Sequence, residues 1–212
     1  MKTEDLIAQL STGLQAARPG AARRRLALAA GLGAVISLAI LLAWLGVQPL
    51  GQAMAGGAFW MKAGYTLALG VGGWIATRRL ARPDGRLGLA AFAAPAAFAL
   101  LAVAGVAQLA TADSGQHLRL LLGRSWTLCP WLILALSTPV LLTLLIAMRR
   151  LAPTRLAMSG AALGLLAGGL GATVYGLHCP ETSAAFVTLW YSLGIGLSAA
   201  LGAVVAPRLL RW

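Results

Sequence analysis

The chain has 212 residues, 59% of them hydrophobic and 10% charged, with a mean hydropathy of +0.82. So little charge excludes an ordinary water-soluble domain and points to the membrane class. A net charge of +12 would fit nucleic-acid binding, but the basic residues fall in short clusters between apolar runs, which is a membrane-topology pattern.

The first 25 residues are polar and include MKTEDLIAQLSTGLQAARPG. Thr3 can cap a helix whose first turn carries Glu4 and Asp5, both favoured at a positive helix start. Leu6, Leu10 and Leu14 recur every fourth residue with Ile7 beside them, so the segment predicts an amphipathic helix ended by Pro19-Gly20. A helix of roughly 15 residues is marginal alone. Its stripe must rest on the bilayer surface, the inner loops or a partner's groove.

A membrane-crossing helix needs about 20 apolar residues because its backbone must satisfy its own hydrogen bonds. Six segments qualify: 26–46, 58–77, 87–110, 126–147, 156–177 and 183–206. The expected fold is therefore all-α, a six-helix transmembrane bundle over 26–207 with a tail at 208–212. Only the second segment carries a charge, Lys62, placed where its side chain can snorkel to the headgroups. The long polar lead argues against a cleavable signal peptide.

Arg18, Arg23, Arg24 and Arg25 precede the first segment, and Arg78, Arg79, Arg82 and Arg86 follow the second. Arg149, Arg150 and Arg155 separate the fourth and fifth, and Arg208 and Arg211 follow the sixth. With Lys2, fourteen of the seventeen basic residues lie on one side, leaving Lys62, Arg119 and Arg124 on the other. The positive-inside rule puts both termini in the cytoplasm. Trp44, Trp60, Trp126 and Trp131 near the outer ends, and Trp74 and Trp212 near the inner ones, read as interfacial anchors.

Gly160, Gly164 and Gly168 in the fifth span, and Gly194, Ser198 and Gly202 in the sixth, form small-residue stripes suited to close helix contact. Pro95 and Pro139 fall inside the third and fourth spans and predict kinks there. Intramembrane ionisable residues are too few for an ion path.

The longest outer loop, 113–124, holds His117. The two cysteines stand at matching places, Cys129 in SWTLCPWLI and Cys179 in YGLHCPETSAAF, each followed by a proline near the start of an apolar run. Pro130 and Pro180 suit a first helical turn, which would set each thiol near a positive helix start that favours thiolate. Three readings remain open. The thiols are small buried residues without chemistry, or they pair as a disulfide in an oxidising periplasm. Alternatively they join His178, Glu181 and His117 in capturing a soft metal, although the spacing matches no compact zinc motif.

The stretches LAPTRLAMSGAALGLLAGGLGATVYGLHCPETSAAFVTLWYSLGI, PRLLRW and SWTLCPWLILALSTPV resemble the NrsF family (negative regulator of sigma F). The likeness extends over essentially the whole chain. It implies a six-span bacterial inner-membrane anti-sigma factor that holds an extracytoplasmic-function sigma factor and releases it under heavy-metal or oxidative stress. The family's paired cysteines match Cys129 and Cys179 as the implied sensor, and His178, Pro180, Glu181, Trp190 and Tyr191 fall on its pattern. The expected role is regulatory, without a resident cofactor and without direct nucleic-acid contact, although transient metal binding at Cys129, Cys179 and His178 is compatible with it. Leu6, Ile7, Leu10 and Leu14 are the expected sigma-binding stripe, aided by the inner arginines. Two other classes compete: a membrane thiol oxidoreductase, which would ordinarily need a further cysteine pair, and a small transporter.

Overall fold

The computed structural model describes residues 3–11, 20–82, 85–151 and 153–211, and every regular element among them is helical. A short helix α1 (Thr3–Ser11) precedes α2 (Ala21–Leu45), α3 (Leu50–Ala55) and α4 (Gly57–Leu80). Then follow α5 (Ala93–Thr111), α6 (His117–Leu122), α7 (Cys129–Met148), α8 (Leu156–Tyr175) and α9 (Ala184–Leu209).

Five of these, α2, α5, α7, α8 and α9, are long and apolar enough to cross a membrane. Helix α4 has 24 residues and is long enough, but Lys62 and its glycines leave it less apolar than the others. Its polarity is turned inward. Thr66 Oγ1 meets Thr173 Oγ1 of α8 at 2.8 Å, and Lys62 is only 4% exposed. The expectation that Lys62 snorkels to the headgroups is therefore incorrect: its ammonium points into the bundle.

Helix α8 is the centre, packed against α9, α4, α7 and α2. Small residues make this possible. Gly160, Gly164 and Gly168 of α8 face Gly202, Ser198 and Ile195 of α9, while Gly194, the third member of the expected stripe, packs on Ile133 of α7. Further glycines serve other faces: Gly169 meets Gly70 of α4, and Gly171 meets Ser137 of α7. Lipid tails are as apolar as leucine, so helices here associate through close packing rather than a hydrophobic drive.

Two of the prolines, Pro95 and Pro180, are placed differently from the sequence reading. A 3-10 turn (Gly88–Phe92) precedes α5, so Pro95 is the third residue of the helix, where its missing N–H costs nothing. Pro139 lies within α7, which continues to Met148. Pro130 occupies the first turn of α7, whereas Pro180 does not begin a helix, because 179–183 forms no regular element and α9 starts at Ala184.

Two buried apolar clusters occupy opposite ends of the bundle. One joins Leu26, Met148, Leu163, Ala206 and Leu210, next to the arginine-bearing turns. The other joins Leu41, Tyr65, Cys129, Ile133, Tyr175, Cys179, Phe186 and Tyr191. At this second end both α2 and α9 widen into π-turns, at Leu41–Leu45 and Val187–Tyr191. Trp44, Trp60, Trp126 and Trp131 are exposed, as anchors should be, but Trp74 packs partly buried against the first cluster and Trp212 lies outside the described residues.

Candidate functional site

The two cysteines, fifty positions apart, meet in one cluster. Both are free thiols with 0% exposure. Cys129 is the first residue of α7, and its N–H donates to the Ser125 carbonyl at 2.8 Å. Cys179 closes the turn after α8, with its N–H on the Tyr175 carbonyl at 3.1 Å. The thiols thus cap adjoining ends of two packed helices. Tyr175, 1% exposed, is buried in the same cluster as both sulfurs. Tyr191, whose ring centroid is 5.7 Å from that of Tyr175, brings a buried hydroxyl beside Cys179 that has no well-formed hydrogen bond. A buried hydroxyl without a partner costs about 1–3 kcal/mol and marks a place where the packing has a reason to rearrange.

Three ties hold the cluster shut. Lys62 Nζ donates to the Cys179 carbonyl at 2.7 Å, joining α4 to the thiol-bearing turn. Glu181 Oε1 accepts from the Arg124 N–H at 2.7 Å and from Ser125 Oγ at 3.4 Å, clamping the segment after Cys179 to the turn before Cys129. Gly123 lets that turn pass, with φ +56°; a Cβ there would lie 2.6 Å from Glu181 Oε2 and 2.8 Å from the Phe186 ring. The third tie is a cap: Gln108 Oε1 of α5 accepts from Ser183 Oγ (3.0 Å) and from the N–H groups of Ala184 (2.9 Å) and Ala185 (3.3 Å).

His178 and His117 are not brought to the sulfurs. His178 Nδ1 sits 3.1 Å from the Gly46 carbonyl, where the α2–α3 loop is also fastened by Gln48 to the Gly176 and Leu177 carbonyls. His117 Nε2 lies 3.3 Å from the Ala112 carbonyl. Among the described residues no three His, Cys, Asp or Glu side chains gather as a metal set. Helix α1 carries Leu6 (41% exposed), Ile7 and Leu10, while Leu14 falls outside the described residues.

Tyr175 and Gln108 escaped the sequence reading, and Lys62 entered it only as a snorkelling residue. A signal for one existed: Tyr175 precedes Cys179 by four residues, the spacing that stacks side chains along a helix end. The chemistry available is that of two adjacent thiols, which can lose two electrons and two protons to an oxidant and join, or share a soft cation.

The clamp sets access. Glu181→Ala removes a charge-assisted tie at a half-exposed position, so alkylation of the thiols by N-ethylmaleimide in detergent should quicken about tenfold through easier local opening. An unchanged rate would show that Glu181 does not hold the site closed.

The profile of a family described as "NrsF: Negative regulator of sigma F" matches residues 10–212. The chain is 45% identical to "Anti-sigma-F factor NrsF" of Caulobacter vibrioides (strain NA1000 / CB15N), over 100% of both chains. It is 41% identical to "Probable anti-sigma-F factor NrsF" of Azospira oryzae, again over 100% of both. No solved structure matches it.

Proposed function

The chain belongs to the NrsF family, and on that premise we propose that it is a membrane-held brake on a sigma factor of the extracytoplasmic-function class. It spans the bacterial inner membrane six times, α4 included, with both termini in the cytoplasm. It retains the sigma factor there and frees it when periplasmic metal or oxidant reaches Cys129 and Cys179. The role is regulatory and not catalytic.

The observation that carries this reading is the separation of the two ends. Both thiols lie in the cluster at one end, and the arginine-bearing turns surround the cluster at the other. Helices α4, α7, α8 and α9 run between them. Modification of the thiols has to disturb the Tyr175 and Tyr191 packing and the Lys62 tie, and any resulting shift of α4 or α9 arrives at the arginines. A disulfide between the thiols supplies a substantial part of the energy that release requires. Moving a complex from 99% bound to 99% free needs roughly 5.5 kcal/mol of differential binding per favoured state. A disulfide typically contributes about 2–4 kcal/mol. The exposed Leu6 on α1, in register with Leu10, provides an apolar contact for the partner, and the inner arginines supply attraction to an acidic surface. Metal capture by the thiols, supported by His178, would work through the same cluster once His178 leaves the Gly46 carbonyl.

Orientation is tested in a background lacking the native cysteines. A membrane-impermeant maleimide should label Thr127→Cys in intact cells, and Arg150→Cys only after permeabilisation. Labelling of both, or of neither, in intact cells would end the transmembrane reading.

A further inference from the structure

Helices α2 and α4 each pack against α8, and between the start of one and the end of the other lies an open cavity of about 760 Å3. Arg23, Arg78, Arg79, Arg82 and Arg86 line it, above a floor that includes Leu26 and Ile75. Among the described residues no carboxylate lines this cavity. Arg79 donates to the Leu87 carbonyl, while the other four guanidiniums have no partner among the described residues. Like charges gathered this closely repel, and a basic loop needed only to set topology has no reason to converge on a cavity.

A second observation says what would fill it. Leu67 (46% exposed), Val71 (56%) and Ile75 (36%) follow at four-residue spacing along α4, so one apolar, outward-facing stripe ends at the cavity. It covers about 12 Å of helix, running from the arginines toward the middle of the bundle. We propose that this is a binding site for an anionic phospholipid: the arginines take the phosphate, and an acyl chain lies on Leu67, Val71 and Ile75. Guanidinium matches phosphate geometry with paired donors, and basic pockets between membrane helices at headgroup depth select anionic lipid. An acidic protein segment would satisfy the charge but leave the stripe unexplained.

The inference rests on the membrane reading alone, not on sigma-factor binding. The full chain in detergent is offered phosphatidylglycerol and phosphatidylcholine in equal amounts, and the retained lipid is identified by native mass spectrometry. The wild type should prefer phosphatidylglycerol about thirtyfold or more, and Arg78→Gln with Arg82→Gln should bring the two lipids close to equal retention, at roughly fivefold per cation. Arg78→Lys with Arg82→Lys should keep most of it, which separates charge from misfolding. Equal retention of the two lipids by the wild type overturns the proposal. Displacement of the lipid by millimolar inorganic phosphate also overturns it, by making the site one for a free anion. So does an unchanged lipid preference in the glutamine pair accompanied by loss of sigma-factor co-purification, which would give the cavity to a protein partner. Extraction of the chain by alkaline carbonate would defeat the membrane reading itself, and so is distinct from these outcomes.

Discussion

Replacing Gly160 and Gly164 together by alanine should lower the unfolding midpoint of the detergent-solubilised protein by roughly 6–12 °C, the equivalent of about 3 kcal/mol in a chain of this size. The sign needs argument, because alanine is the better helix former by up to about 1 kcal/mol. At Gly160 a methyl group would strike the Gly202 carbonyl and lie 2.5 Å from Ala206 Cβ. At Gly164 it would strike the Ser198 carbonyl and lie 2.6 Å from Ala199 Cα. These obstacles are mainly backbone and a buried alanine, so neither side can give way by rotating a flexible chain. Helix α8 must back away from α9, and because α8 also bears on α4 and α7, the movement loosens three interfaces. Gly196→Ala is the control: nothing stands within 4 Å of a methyl group there, so propensity alone acts and the midpoint should hold or rise slightly. Equal behaviour of the pair and the control would mean that α8 and α9 do not pack as described.

That interface was legible because four-residue spacing is written directly into one segment, at Gly160, Gly164 and Gly168. The opposing glycine contacts of Gly169 with Gly70 and Gly171 with Ser137 were not, since a glycine-rich helix offers several faces and only its neighbours decide which are used. Lys62 was misread for a related reason. A lysine one turn into an apolar helix can turn either way, and the choice depends on the Cys179 carbonyl, supplied from 117 residues away. Pro180 was expected to open a helix, but Ser183 and Gln108 together set the start of α9 four residues after that proline. The matching positions of Cys129 and Cys179 were visible. Their burial with Tyr175 and Tyr191 was not, because it requires the segment after α8 to meet the turn before α7. For the amino-terminal stripe, Leu6 is exposed as a docking residue must be, whereas Leu14 lies outside the described residues.

The second large effect concerns the thiols themselves. If their joining or metal capture contributes about 2–4 kcal/mol to release, removing either one should lower the ratio of free to bound sigma factor under stress by roughly 30- to 700-fold. Basal retention should be unaffected, because neither cysteine side chain is needed to hold the inner end together. Serine introduces a buried hydroxyl of its own, so Cys129→Ala and Cys179→Ala accompany Cys129→Ser and Cys179→Ser. Agreement between the two series assigns the effect to the lost sulfur and not to a new unsatisfied polar group.

The most direct measurement is affinity capture of the full chain from detergent-solubilised membranes, before and after brief exposure of cells to diamide or Cd2+, with the sigma factor quantified in the bound fraction. The wild type should lose its sigma factor on exposure, while each single-cysteine variant retains it throughout. A sigma factor that leaves both variants as readily as the wild type would contradict the account.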